Sequence, residues 1–304
     1  MFSSKHAGCA VTLSLGLALG GHLGLPDVAQ AADNNSPSPF QPWNNGLHDE
    51  PIMQVQRYDA DTFVIRQSVK TNFEAPFIFL FMGPERILQI DTGAGGLMIR
   101  PTVDKVIADW AASKGIPEPP LIVAHSHAHA DHTAGDAEYA GRPNTTVVGH
   151  SPQEVSSFFH LQNWPEDTAS INLGGREIDI IPMPGHELAE IAVFDRRTRL
   201  LLCGDALYPG RLYVKADQFG AFRRSVDRVA AYTRTLQVSW VLGNHIEMTR
   251  TAGRDYAMHI PTHPDEHVLQ LPYSALTELQ KSVDTMGELP QLDIHRDFIL
   301  YPVP

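Results

Sequence analysis

The sequence predicts an α+β fold in which two sheets pack face to face with helices on the outside. Short apolar strands occur in runs, and a helix follows each run, a pattern that appears twice along the chain. Such a pattern is typical of layered sheets with covering helices. Four separate strand ends also deliver a His or an Asp beside a small residue, which predicts a polar site at one edge of a rigid scaffold.

The elements begin near residue 52. Strands are predicted at 52–58, 62–68, 77–82, 86–90, 119–124, 177–183, 191–195, 199–203, 238–242 and 298–301, and helices at 98–114, 152–161, 221–236 and 274–286. Gly115 closes the first helix, since glycine readily takes the left-handed conformation found there. Ser151 and Pro152 are suited to the cap and first position of the second helix.

The N-terminus has the features of a signal peptide. Lys5 precedes a short apolar run at 10–19, and Ala29-Gln30-Ala31 offers an A-x-A cleavage site. The run is too short for a membrane span, so we expect no stable membrane association after its removal. The predicted organisation is a signal peptide at 1–31, a flexible lead-in at 32–51, and a single domain at 52–304 that includes a C-terminal extension. The expected location is periplasmic or secreted.

Composition is ordinary for a soluble globular protein, and the charge disfavours nucleic acid or an anionic membrane as the main partner. The 304 residues are 43% apolar and carry a formal net charge of −12, which disfavours binding to phosphate backbones. Cys203 is the only cysteine after residue 31, so no internal disulfide is expected in the mature chain.

The segment from His125 to His132 is the richest in metal-ligand residues. It reads His-Ser-His-Ala-His-Ala-Asp-His and directly follows a buried strand. Alternate residues on an extended chain point to the same side, so His127 and His129 should share a face. Imidazole and carboxylate ligands suit a borderline divalent cation such as zinc.

The complete ligand pattern resembles the metallo-β-lactamase superfamily. The motif is His127-x-His129-x-Asp131-His132, then His186 after Pro-Gly, Asp205 after Gly, and His245, with a matching Asp91-Thr92-Gly93 turn. The ligand pattern is nearest to the lactonase and hydroxyacylglutathione hydrolase branches. The resemblance implies an αββα four-layer sandwich and two zinc ions per chain.

The resemblance also implies a role for each ligand. His127, His129 and His186 would hold the first metal, Asp131, His132 and His245 the second, and Asp205 would bridge both. A hydroxide shared by two zinc ions would then attack a lactone, ester or thioester, because zinc lowers the pKa of bound water to about 7. Asp131 or Asp205 would pass the proton to the leaving group.

Three further residues each have two interpretations. Tyr208 completes an Asp-x-x-Tyr pattern seen in lactonases, so its hydroxyl would donate to the oxyanion, or else the ring only lines the loop. Asp91 either orients a ligand histidine or merely ends a strand. Cys203, two residues before Asp205, is expected to be a buried strand cysteine.

Other functions remain open at this point. A β-lactam hydrolase fits export, although Asp205 at the bridging position argues against it. A mononuclear-iron oxidoreductase like the persulfide dioxygenases shares much of the motif. A metal-binding protein without catalysis is the third alternative.

Overall fold

A computed structural model describes residues 38–304. The predicted signal peptide and residues 32–37 of the predicted lead-in lie outside the described residues. The strands are β1 Met53–Asp59, β2 Thr62–Gln67, β3 Phe77–Phe81, β4 Ile87–Ile90, β5 Leu121–Ala124, β6 Thr145–Val147, β7 Ala169–Asn172, β8 Glu177–Pro182, β9 Ile191–Asp195, β10 Leu200–Leu202, β11 Arg211–Lys215, β12 Trp240–Leu242, β13 Gln270–Leu271, β14 Asp293–Ile294 and β15 Ile299–Val303. The α-helices are α1 Arg100–Lys114, α2 Ala130–Thr133, α3 Pro152–Phe159, α4 Phe219–Thr233 and α5 Tyr273–Thr285.

Most strands belong to two six-stranded sheets. The first has the order β1-β2-β3-β4-β5-β6 and the second the order β13-β12-β10-β9-β8-β7. Strands β4, β5 and β6 are parallel to one another, and β10 is parallel to β12. A smaller sheet, β11-β15-β14, contains the chain's C-terminal strand.

Side-chain alternation explains why the two sheets form the middle of a sandwich. One face of β3, with Phe79 and Phe81, joins residues of the second sheet such as Ile180 in a common apolar core. The opposite face, with Ile78 and Leu80, packs against α1. The outer face of the second sheet packs against α4 and α5 in the same way. These contacts confirm the predicted αββα sandwich.

The predicted elements agree with the structure to within about two residues at most ends. The sequence predictions omit β6, β7, β11, β13 and β14. Four of these contain only two to four residues and lie at sheet edges. Strand β11 has the alternating pattern that predicts a strand, because the apolar residues Leu212 and Val214 are buried and alternate with less buried neighbours.

The described part of the predicted lead-in is packed against the domain. Residues 38–51 contain no helix or strand, as expected. Phe40 and Trp43 are nevertheless buried, and the Trp43 ring meets Phe77 edge-on at a centroid distance of 4.9 Å. Burial of two aromatic rings holds this segment in place, so it is not a free linker in the described range.

No helix within residues 38–304 has the length and apolar character needed to cross a bilayer.

Candidate metal centre

The ends of five strands meet at one edge of the sandwich. In the first sheet, β4 ends at Asp91, and the parallel strand β5 leads into His127 and its neighbours. In the second sheet, β8, β10 and β12 run in the same direction and lead into His186, Asp205 and His245. Parallel strands bring their carboxyl ends to the same edge, which explains how residues more than 100 positions apart come together.

His127, His129 and His186 form the first group of ligands. Nδ1 of His129 lies 2.9 Å from Nε2 of His127 and 3.0 Å from Nε2 of His186. His186 donates its Nδ1–H to the Tyr213 carbonyl at 2.9 Å, which leaves a lone pair on Nε2. His127 Nδ1 lies 3.1 Å from the Ser126 hydroxyl, whose own proton goes to Asp91. The lone pairs of this group therefore face one another.

Asp131, His132 and His245 form the second group together with Asp205. Oδ2 of Asp131 lies 3.1 Å from Nε2 of His132 and 3.3 Å from Nε2 of His245. His245 donates its Nδ1–H to the Glu74 carbonyl at 2.8 Å. As in the first group, this directs the Nε2 lone pair into the site.

Asp205 lies between the two groups. Its Oδ2 is 3.9 Å from Nε2 of His127, 3.7 Å from that of His186 and 3.7 Å from that of His132. One carboxylate oxygen thus faces ligands of both groups. The arrangement brings together all seven residues that the sequence assigned to the metals.

The electrostatics of the two groups differ. Burial, reinforced by His132, lowers the pKa of His127 well below its ordinary value, so this imidazole is neutral. Burial also opposes a charge on His132, but Asp91, Asp205 and Asp131 outweigh it and raise the pKa of His132 well above its usual range. Carboxylates so concentrated attract positive charge, whether a proton or a metal ion.

Asp91 links several residues of the site through hydrogen bonds. Its carboxylate accepts hydrogen bonds from the Ser126 amide at 2.6 Å, from the Ser126 hydroxyl at 2.8 Å and from His132 Nδ1 at 3.0 Å. Asn244 donates to it as well. Of the two interpretations of Asp91, the structure supports the one in which it orients a ligand histidine.

Glu190 performs a similar task for Asp205. Its side chain is fully buried, and Oε1 accepts the backbone N–H groups of Asp205 at 3.2 Å and Ala206 at 3.0 Å. Residue 204 is glycine with φ of +53°, and a Cβ there would lie 2.9 Å from Glu190 Oε1. Burial, followed by the charge of Asp205, raises the pKa of Glu190 well above its ordinary value. Glu190 therefore fixes the turn that presents Asp205.

Ser126 and Asn244 belong to this support and were not among the predicted site residues. Each is adjacent to a ligand histidine in sequence and is almost fully buried. A buried polar residue needs hydrogen-bond partners. Their position beside His127 and His245 was the one available signal, because the shared partner, Asp91, lies 35 and 153 residues away.

The residues present fit a pair of divalent cations. Ligand atoms around a tetrahedral zinc ion with bonds of about 2.0–2.1 Å lie roughly 3.3 Å apart. The distances between ligand atoms given above bracket that value. Oδ1 of Asp205 is buried and accepts no hydrogen bond within the described chain, and His129 Nδ1 has at most one proton to share with two facing nitrogens. A bound cation would resolve both shortcomings.

Tyr208 does not have the geometry predicted for an oxyanion donor. Its side chain is 1% exposed, and its hydroxyl donates to the Arg211 carbonyl at 2.5 Å, with Glu247 Oε2 at 3.1 Å. A phenol has a single proton, which here is directed away from the ligands. These contacts oppose the predicted donor role and favour the alternative interpretation, in which the ring only lines the pocket.

Cys203 is buried and has a free thiol, as predicted. Its amide continues the strand pairing with the Leu242 carbonyl at 2.9 Å. Burial raises the pKa of the thiol far above its ordinary value, as expected for an unreactive strand cysteine.

A pocket of about 420 Å³ opens onto the ligands. His129, Asp131, His186, Asp205 and His245 lie in its wall. Additional side chains complete the lining: Glu74, Ala130, Tyr208, Tyr213, Lys215, Glu247 and Val303. The volume suits a small organic molecule.

An αββα sandwich with two adjoining groups of His and Asp ligands at one edge defines a class of metal-binding domain. A family model described as the metallo-beta-lactamase superfamily matches residues 90–246, just over half of the chain. The chain belongs to this superfamily, and the predicted resemblance is confirmed.

Relatives of known name share part of the chain. Acyl-coenzyme A thioesterase MBLAC2 from Homo sapiens is 28% identical over 165 residues, which is 44% of this chain and 59% of the relative. Hydroxyacylglutathione hydrolase from Pseudomonas fluorescens is 27% identical over 175 residues, 55% of this chain and 61% of that protein. The aligned region spans about three fifths of each relative.

Solved structures support the fold. A metallo-beta-lactamase from Pontibacter korlensis superposes with a TM-score of 0.52 at 14% identity, covering 77% of this chain and 100% of that one. A metallo-beta-lactamase from Erythrobacter litoralis gives a TM-score of 0.51 at 12% identity, with 79% and 99% coverage. At these identities the likeness establishes the architecture alone.

Proposed function

We propose that this chain is an exported hydrolase that uses two zinc ions to cleave a lactone, ester or thioester. The observation that carries the proposal is the position of Asp205, whose Oδ2 faces ligand nitrogens of both groups at 3.7–3.9 Å. A carboxylate in that position is suited to bridge two cations. Neutral imidazoles and carboxylates are the ligands that zinc accepts.

In this proposal each group of ligands holds one ion. His127, His129 and His186 bind the first, Asp131, His132 and His245 the second, and Asp205 contacts both. When bound, two zinc ions supply a nucleophilic water of lowered pKa and polarise the scissile carbonyl. Asp131 lines the pocket, so its carboxylate is placed to pass a proton to the leaving group.

The choice of substrate class has two supports. The named relatives are a thioesterase and a hydroxyacylglutathione hydrolase, and both names denote acyl transfer to water. The pocket of about 420 Å³ accommodates a small acyl group beside the ligands. Lactones and esters present the same carbonyl to the same ligands, so they belong to the proposed class.

We expect purified protein to contain close to two zinc ions per chain and to lose hydrolysis when a chelator removes them. Elemental analysis, followed by a panel of lactone, ester, thioester, β-lactam and phosphodiester substrates before and after chelation, measures both. Activity should return on addition of zinc.

Each alternative function predicts a different result in the same experiment. One iron per chain without zinc would contradict the hydrolase and support a dioxygenase. Turnover confined to β-lactams would replace the proposed substrate class. Two zinc ions with no turnover of any substrate would favour a metal-binding protein without catalysis.

Export is part of the proposal and rests on the sequence before residue 32. The mature chain is expected to begin at or near Ala32. Intact-mass measurement of protein from the native host tests this directly, and retention of residues 1–31 would contradict it.

A further inference from the structure

A third group of metal-ligand side chains lies outside the centre described above. His125, Asp136 and His150 come from the end of β5, the start of a short 3₁₀ helix after α2 and the loop after β6. Nε2 of His125 lies 2.8 Å from Oδ1 of Asp136, and Nε2 of His150 lies 2.7 Å from Oδ2. One ligand atom from each residue falls within 4.8 Å of the other two.

Neither imidazole of this group is a ligand in the proposed two-metal centre. None of the three residues is among the seven residues that make up the two ligand groups. The link to the centre is indirect, through Thr92, whose hydroxyl contacts Asp136 Oδ1 at 2.8 Å and the His132 carbonyl at 3.1 Å. The cluster therefore adjoins the loops that carry the ligands without sharing a side chain with them.

We propose that His125, Asp136 and His150 form a third site, which takes a borderline divalent cation such as zinc. Two imidazoles and one carboxylate are a ligand set for such ions, and they leave a further position open to water. The contacts of 2.7 and 2.8 Å have hydrogen-bond lengths. Binding therefore replaces the two N–H protons that point at Asp136 with one cation, and the side chains move apart slightly.

The two histidines differ in a way that permits this exchange. His150 has 41% of its side chain exposed, which gives an ion a route from solvent. His125 has 4% of its side chain exposed, and its Nδ1 has no hydrogen-bond partner within the described chain. Because no partner fixes the proton on that ring, Nδ1 can carry it while Nε2 binds the ion.

The same feature predicts that the third ion binds more weakly than the other two. In the two-metal centre, His132, His186 and His245 are each oriented by a hydrogen bond from Nδ1 to a carboxylate or a backbone carbonyl. Such supporting bonds are worth about 10–100-fold in metal affinity. His125 lacks one, so the third ion should be the first to leave under dialysis or chelation.

The test is a zinc titration of the chelator-treated full chain, followed by calorimetry and by competition with a zinc-binding dye. Wild type should take up three ions, the third with the lowest affinity. His150→Ala removes an exposed side chain and should take up two, with an unchanged rate of hydrolysis. Asp136→Asn should also take up two, and His48→Ala, a control at an exposed histidine outside every cluster, should take up three.

Thermal unfolding gives an independent readout. An ion that binds only the folded chain raises its Tm, so a third equivalent of zinc should raise the Tm of wild type and not that of His150→Ala. Saturation of wild type at two ions would overturn the proposal, as would uptake of three ions by His150→Ala. Uptake of fewer than two ions by His150→Ala would also overturn it, because the cluster would then be a support of the two-metal centre.

Discussion

Asp205→Asn is expected to abolish turnover and to release bound metal in the same step. The substitution keeps the size of the side chain but removes the negative charge that faces both ligand groups. Loss of a residue that only orients a ligand costs about 10–100-fold in metal affinity. Loss of the shared ligand itself should therefore exceed about 100-fold. Zinc content after gel filtration and kcat measured on the best substrate of the panel provide the two readouts.

Asp205→Asn that retains two ions and ordinary kcat would refute the bridging role. The loss of metal and of turnover can be interpreted only if the variant is folded. Circular dichroism should show the wild-type secondary structure, since Asp205 follows β10 and lies outside the apolar clusters.

Tyr208→Phe is the matched control in the same pocket wall. It deletes the hydroxyl that donates to the Arg211 carbonyl and leaves the ring against His245 at a centroid distance of 5.6 Å. An oxyanion donor would cost about 10²–10³-fold in kcat when removed. Because the Tyr208 proton points elsewhere, we expect full metal content and a change well below that range. A loss of about 10²-fold would restore Tyr208 as a donor.

The residues of the two candidate ligand groups could be predicted from sequence because they lie in the turns that follow strand ends. Short spacing within His127 to His132 identifies one sheet edge by itself. His186, Asp205 and His245 each lie one or two residues after a glycine that follows an apolar strand, so the alternation of strands and turns places them at the same edge. Local sequence patterns were sufficient to predict these residues, because the parallel strands of the fold bring the strand ends together.

Contacts that depend on distant pairing could not be predicted in this way. From the sequence, Asp91 could equally end a strand or orient a ligand histidine. Its role is seen only in the folded chain, where Asn244, 153 residues away, donates a hydrogen bond to it. The third cluster has the same origin, because Asp136 lies 11 residues after His125 and His150 lies 14 residues after Asp136, and the fold brings the three together.

Tyr208 illustrates the opposite limit. The Asp-x-x-Tyr pattern gives the right spacing for a residue beside the pocket, and the ring is there. The direction of its hydroxyl is decided by the Arg211 carbonyl, three residues further along a turn. A residue pattern reports the position of a side chain along the backbone but not where its terminal atom points.

Arg66 is expected to contribute strongly to the stability of the fold, although it belongs to no sequence motif. Its side chain is 1% exposed and forms a two-pronged ion pair with Glu266, at 2.7 and 2.6 Å. It also donates to the Asn44 carbonyl at 2.8 Å, which ties the segment before β1 to the loop before β13. Arginine suits this position because its planar group binds both carboxylate oxygens together.

Arg66→Ala is expected to lower the free energy of unfolding by about 3–5 kcal/mol, because it removes the two guanidinium contacts of the buried Glu266 carboxylate and leaves it only His263 Nδ1 at 2.8 Å. Equilibrium denaturation of the zinc-loaded protein measures the change. Arg250→Ala is the matched control, since its partner Asp265 is next to Glu266 but the pair is more than half exposed and 3.8 Å apart. Exposed pairs contribute about 0–1 kcal/mol. A loss for Arg66→Ala as small as that for Arg250→Ala would contradict the prediction that burial makes the Arg66–Glu266 ion pair strong.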